Sequence, residues 1–128
     1  MGTRVFLGLS ALLWLPYGLY CFFAPASLAD AAGVAFQSPT GSTELRAMYG
    51  GLQAALGLLA ALAVLRAALV RPALVALAFL TAGLASARLL GAALDGGFSS
   101  YTMMGLGFEI TSAVVATALL SRSAAPRG

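Results

Sequence analysis

The sequence predicts an all-α membrane protein, a transmembrane four-helix bundle that forms one domain over residues 1–128. Apolar residues make up 61% of the chain and charged residues only 9%, a balance outside the range of soluble globular domains. The apolar residues also fall into four runs, each near the roughly 20 residues that a helix needs to cross about 30 Å of hydrocarbon. None of the runs alternates apolar and polar residues as a membrane β-strand does, so helices are the structure that satisfies the backbone in lipid.

The four runs place the predicted spans along the chain. The spans are residues 5–23, 45–65, 73–94 and 98–120. The long connection between the first two contains the sequence SLAD, in which Ser27 and Asp30 have the spacing of a capping box at the start of a short helix. Ser42 is the expected N-cap of the second span. Pro72 suits the first turn of the third span.

Charged residues in the connections predict the orientation of the chain. Arginines lie on one side and acidic residues on the other: Arg4, Arg66, Arg71, Arg122 and Arg127 against Asp30, Glu44 and Asp95. Because positively charged connections stay in the cytoplasm, both termini are predicted to be cytoplasmic. The expected location is the bacterial inner membrane, which the chain crosses four times.

The first apolar run also resembles a signal peptide that is cleaved before Asp30. Residues 5–23 are longer than the apolar region of about 7–15 residues in such peptides. They also contain Trp14, Pro16 and Tyr17, and aromatic side chains suit packing against other helices. A retained membrane span is therefore the favoured interpretation.

Missing residue types exclude much of enzyme chemistry. The chain has no histidine, no lysine and a single cysteine, Cys21. It therefore has no imidazole base, no histidine-ligated metal or haem, no lysine for a Schiff base and no thiolate metal cage. The arginines are isolated from one another, which argues against nucleic-acid binding in spite of a net charge of +3. We expect no metal, no cofactor and no nucleic-acid partner.

Each span keeps its polar residues on one face, because residues three, four or seven apart lie on the same side of a helix. The faces comprise Ser10, Trp14, Tyr17 and Cys21 in the first span, Arg46, Tyr49, Gly50, Gln53 and Gly57 in the second, Thr81, Arg88 and Asp95 in the third, and Thr102, Gly105, Glu109 and Ser112 in the fourth. At a rise of about 1.5 Å per residue, Gln53, Arg88 and Glu109 lie roughly 10–16 Å below the outer surface. The predicted ligand-binding residues, which converge in the outer half of the bundle, are Arg46, Tyr49, Gln53, Arg88, Glu109, Tyr17 and Asp95.

Arg88 and Glu109 are predicted to form an ion pair inside the membrane, because they have opposite charges at similar depths. A charge at the bilayer centre costs about 2.5–3.5 kcal/mol on insertion scales, so such residues are kept only when they are paired or functional. The pair has two interpretations. It belongs to a binding site, which is the favoured one, or it only fixes the register of two helices.

The sequence resembles a family of small bacterial four-span membrane proteins known as a domain of unknown function. The resemblance rests on the segments ELRAMYGG, ARLLGAALDGG and FEI and covers most of the chain. The characteristic residues of the family fall on Glu44, Arg46, Tyr49, Gly50, Gly51, Arg88, Asp95, Gly96 and Glu109. The resemblance implies four spans and supports the choice of site residues, but it implies no activity. A more distant similarity is to DoxX-like four-helix membrane proteins.

Two classes of function fit these observations best. The favoured one is binding of a small amphipathic ligand or a lipid head group, with Arg46 and Arg88 holding an anionic part. The alternative is an accessory or structural subunit that packs on a membrane protein partner or a second copy through small residues such as Gly83 and Ala87. A membrane enzyme using Glu109 is less favoured, because a second catalytic group is missing. A transporter is less favoured still, because the inner half of the spans lacks a polar path.

The charge distribution generates a test of orientation. A reporter fused to the C-terminus that is active only in the cytoplasm is expected to be active, because the arginine-rich connections hold both termini there. A reporter that is active only outside the cytoplasm is expected to be silent in the same position. Activity of the second reporter would overturn the predicted orientation.

Overall fold

The computed structural model describes residues 1–124, which are helical apart from short connections. The elements are α1 (Gly2–Phe23), α2 (Ser27–Ala32), α3 (Pro39–Leu45), a π-helical segment (Arg46–Gly51), α4 (Leu52–Leu65), a 3₁₀ turn (Ala67–Leu69), α5 (Val70–Asp95) and α6 (Ser100–Ala124). The described residues contain no β-strand. Arg127, one of the arginines that predict the orientation, lies outside the described residues.

Four helical stretches are long and apolar enough to cross a membrane. They are Gly2–Phe23, Pro39–Leu65, Ala67–Asp95 and Ser100–Ser123. Large apolar side chains on all four are exposed, among them Leu12, Leu58, Phe79 and Met104, which suits a surface in contact with lipid chains as apolar as leucine. The predicted class, all-α with four membrane spans, is therefore confirmed, and the chain is a multi-pass membrane protein. The orientation in the membrane stays a prediction.

The chain divides into two compact units. Unit 1 is Met1–Val70 and unit 2 begins at Arg71. Unit 1 holds the first two spans and the long connection between them, whereas unit 2 holds α5 from its second residue onward and α6. The single domain over residues 1–128 stays a prediction.

In unit 1, α1 and α4 run antiparallel with their backbones in close contact. A Cβ atom at three glycine positions would overlap the opposite helix: Gly18 meets Ala54, Gly50 meets Phe22 and Gly57 meets Leu15. Small residues allow this approach, and in lipid the resulting van der Waals contacts hold helices together. Gly50 and Gly57 of the second span therefore serve packing within the chain.

The second span is interrupted by one π-helical segment, Arg46–Gly51. A π turn bonds i to i+5 and so contains one more residue than an α turn. The side chains before the segment are therefore rotated by about 100° relative to those after it. The regular α-helical spacing predicted for Arg46, Tyr49 and Gln53 is wrong across this segment. Arg46 and Gly50 instead both contact Phe22 of α1.

The connection between the first two spans corrects two predicted helix caps. Ser27 is the first residue of α2 and not its N-cap, because its hydroxyl donates to the carbonyl oxygen of Ala24 at 2.7 Å. The second span begins at Pro39, earlier than predicted, and its N-cap is Ser38, whose hydroxyl accepts from the backbone N–H of Gly41 at 3.1 Å. A proline in the first turn suits this start, since it lacks the N–H that the turn would leave unpaired. Ser42 therefore lies inside α3.

In unit 2, local hydrogen bonds define the turn between α5 and α6. Gly96 has a φ of 69°, and the N–H of Gly97 donates to the carbonyl oxygen of Ala92 at 3.1 Å, as in a Schellman motif. The hydroxyl of Ser99 then accepts from the N–H of Thr102 at 3.2 Å and caps α6. These bonds satisfy backbone groups at both helix ends.

Adjacent glycines provide a test of the α1–α4 contact. We expect Gly50→Ala to lower the free energy of unfolding by about 1–3 kcal/mol, because the added methyl group meets the backbone of Phe22 at 2.8–2.9 Å and overpacks the contact. Gly51→Ala is the matched control, since its Cβ atom would lie 3.8 Å from the nearest atom, the carbonyl oxygen of Arg46. Thermal unfolding in mild detergent measures both variants. Equal effects at the two positions would contradict the close contact.

Candidate functional site

Within unit 2, Arg88 of α5 and Glu109 of α6 form the predicted ion pair. Nη2 of Arg88 donates to Oε1 of Glu109 at 2.7 Å, and Nε donates to Oε2 at 2.9 Å and to Oε1 at 3.2 Å. Two donors of one guanidinium thus engage both oxygens of one carboxylate, the strongest geometry for such a pair. The predicted pairing is confirmed.

The two partners of the pair differ in exposure. The side chain of Glu109 is 4% exposed and that of Arg88 is 26% exposed. The carboxylate of Glu109 is therefore shielded by protein, whereas part of the Arg88 side chain is exposed at the surface. Because both carboxylate oxygens are engaged by Arg88, Glu109 is poorly placed to act as a general base, which must accept a proton from another molecule.

Gly105 and Tyr101 of α6 complete the setting of the pair. A Cβ atom on Gly105 would lie 3.1 Å from both Cζ and Nε of Arg88, so the absence of a side chain makes room for the guanidinium. Cζ of Arg88 also lies 6.0 Å from the centroid of the Tyr101 ring, a cation–π contact. The polar face predicted for the fourth span includes Gly105 but not Tyr101. The spacing of four residues from Tyr101 to Gly105 and from Gly105 to Glu109 indicates that all three lie on one face of α6.

Arg46 has a structural role that the sequence did not predict. Its Nη1 donates to the carbonyl oxygen of Phe22, and its Cζ lies 5.7 Å from the centroid of the Phe22 ring. Phe22 is the penultimate residue of α1, where carbonyl groups have no partner within the helix. A cation at this end also complements the negative end of the helix dipole. Arg46 therefore caps α1, while its remaining N–H groups can still donate to a ligand.

Gln53 carries a buried polar atom without a partner. Its Oε1 is buried and accepts no hydrogen bond from any of the described residues. An unsatisfied buried acceptor costs about 1–3 kcal/mol, and each such atom in a native protein requires an explanation. Gln53 lies in the first turn of α4, directly after the π-helical segment. A donor added at this part of unit 1 would therefore satisfy Oε1 of Gln53 and stabilise the protein.

The remaining predicted site residues have separate surroundings. Tyr17 is half-buried on α1 and hydrogen-bonds the side chain of the buried Cys21. Tyr49 is half-buried within the π-helical segment. Asp95 is exposed at the last residue of α5.

The structure thus groups the predicted residues within each unit. It joins Arg88 to Glu109 in unit 2, and it places Arg46, Tyr49 and Gln53 along the second span of unit 1. The convergence of all the polar faces on one pocket stays a prediction. Within residues 1–124, no group of three or more His, Cys, Asp or Glu side chains could hold a metal ion.

Comparison with known proteins identifies one family. Residues 2–120 match the family described as a domain of unknown function (DUF4345). Neither a curated protein nor a solved structure matches the chain.

Removing one partner of the ion pair tests its contribution to stability. We expect Arg88→Met to lower the free energy of unfolding by about 3–5 kcal/mol, because it leaves the buried carboxylate of Glu109 without its cation. Glu109→Gln is expected to cost less, since the partly exposed Arg88 can extend toward a polar surface. The double variant, measured by thermal unfolding beside the single ones, should recover much of the loss. A double variant no more stable than Arg88→Met would contradict this account.

Proposed function

The chain belongs to the DUF4345 family, whose function is unknown, and we propose that it is a membrane-embedded binding protein for a small amphipathic molecule or a lipid head group. The polar part of the ligand binds along the second span, in the outer half of the membrane. The observation that carries the proposal is the buried Oε1 of Gln53, which lacks a donor within the described residues. A ligand that supplies a donor there gains a hydrogen bond that the protein cannot make by itself.

Further support comes from Arg46 and Tyr49 on the same span. Arg46 holds its guanidinium beside Phe22, and Gly50 lies against the backbone of the same residue. The guanidinium is therefore level with Gly50, three residues or about 4.5 Å from Gln53 along the helix. The half-buried Tyr49 lies between Arg46 and Gln53 in the sequence and can supply a hydroxyl. An anionic group near Arg46 and a tail along the apolar helix surfaces complete the ligand.

Arg88, Glu109 and Asp95 are not needed for this proposal. They were assigned to the ligand by the predicted convergence of the polar faces. The Arg88–Glu109 pair has a sufficient role in unit 2, where each charge is neutralised by the other.

A second candidate function is that of an accessory subunit, and one observation on α5 favours it. Gly83 and Ala87, one helical turn apart, are both exposed, and the space that a side chain on Gly83 would occupy is empty to 4 Å. Small residues at this spacing allow another transmembrane helix to approach closely. Crosslinking in native membranes tests this candidate. A chain that crosslinks neither to itself nor to another protein would contradict it.

Native mass spectrometry tests the binding function directly. We expect protein released from mild detergent to carry a defined extra mass, and we expect Gln53→Met to lose it, because the substitution removes the buried acceptor while keeping a similar volume. Leu58→Met is the matched control, since it changes an exposed side chain of the same helix. A wild-type protein without added mass, or equal masses on the wild type and Gln53→Met, would overturn the proposal.

A further inference from the structure

No hydrogen bond from a residue of unit 1 reaches Oε1 of Gln53. Its neighbours along the helix, from Leu52 to Gly57 apart from Gln53 itself, are leucine, alanine and glycine. Where α1 passes this stretch, the contacts are made by Gly18 opposite Ala54 and by Leu15 opposite Gly57. Neither residue has a polar side chain, and neither donates to Oε1 of Gln53.

The position of Gln53 along the span restricts the source of the missing donor. Gln53 lies close to the middle of the 27-residue span Pro39–Leu65, about 20 Å from either end. Water is scarce at this depth of a bilayer, and backbone donors are used within the helices. The donor therefore belongs to a molecule that dissolves in hydrocarbon.

The charge of that donor is restricted as well. A cationic donor such as an ammonium group is costly in the hydrocarbon region, and the guanidinium of Arg46 on the same span would repel it. A neutral donor avoids both costs, and the hydroxyl group is the simplest neutral donor that a membrane-soluble molecule carries.

We infer, resting on the proposed function, that the ligand is a hydroxylated amphiphile whose hydroxyl group donates a hydrogen bond to Oε1 of Gln53. The hydroxyl lies on the apolar side of the ligand's polar head, because Gln53 lies deeper than Arg46 when the second span is followed from its outer end. The site therefore selects for a ligand that brings a hydroxyl group to the depth of Gln53. An alkyl chain without such a hydroxyl group does not satisfy it.

Two matched probes test this inference with the full chain in phosphatidylcholine nanodiscs. The probes are 1-hexadecanol and its methyl ether, which have the same alkyl chain. The ether carries a methyl group in place of the hydroxyl hydrogen and cannot donate a hydrogen bond. Native mass spectrometry measures the fraction of protein that retains each probe at increasing concentration. We expect the alcohol to reach half-occupancy at about a tenfold lower concentration than the ether, the difference that one buried hydrogen bond makes.

Two variants test whether Gln53 causes the difference in retention between the alcohol and the ether. In Gln53→Met the alcohol and the ether should be retained equally, whereas in Leu58→Met the tenfold preference should persist. The comparison of the two probes on the wild type requires no variant to fold. Equal retention of both probes by the wild type would overturn the hydroxyl inference, and so would retention of neither.

Failure of this inference and failure of the proposed function are distinguishable. The protein as purified reports on the proposed function, because a defined mass that depends on Gln53 demonstrates binding whatever its chemistry. That mass, together with equal retention of the two probes, would leave the binding function standing and reject the hydroxyl group. A preference for the alcohol that persists in Gln53→Met would place the hydroxyl elsewhere and also reject the inference.

Discussion

The close approach of α1 to α4 is the contact on which the rest of unit 1 depends. Without side chains at Gly18, Gly50 and Gly57, the two backbones touch, and dispersion forces can act over many atoms. The same approach fixes Phe22 beside the π-helical segment, where Arg46 reaches its carbonyl oxygen. Oε1 of Gln53, in the first turn of α4, nevertheless stays without a donor among the described residues. A favourable contact between two helices thus does not by itself satisfy every polar group on them.

Unit 2 follows a different rule, in which polar groups deep in the helices satisfy one another. Arg88 and Glu109 neutralise each other's charge, and the hydroxyl of Thr81 donates to the carbonyl oxygen of Leu77 at 2.6 Å within its own helix. A fully satisfied polar group has little to gain from a ligand, whereas an unsatisfied one gains a hydrogen bond. This contrast is the reason for assigning the binding function to unit 1.

Sequence alone predicted the four spans and the Arg88–Glu109 pair, because both depend on the cost of polarity in lipid. Apolar length defines a span, and two isolated opposite charges at similar depth have few alternatives to pairing. The π-helical segment could not be predicted, since RAMYGG fits an α-helix equally well and the i→i+5 backbone bonds that define a π turn leave no pattern in these residues. The capping role of Arg46 was missed because it depends on where α1 ends relative to the second span. The predicted start of the second span, with Ser42 as its N-cap, is wrong because Pro39 occupies the first turn of the helix and Ser38 caps it.

The Arg88–Glu109 pair also has a consequence for how the chain enters the membrane during synthesis. Each of α5 and α6 carries one deep charge, so either helix inserted alone would expose that charge to lipid. Only the four residues from Gly96 to Ser99 separate α5 from α6, and Ser99 caps α6. A connection this short lets the two helices enter the membrane as a hairpin. Inserted together, they present a neutral unit to the bilayer from the start. Insertion of α5 and α6 as one hairpin thus avoids the cost of placing either charge alone in the hydrocarbon.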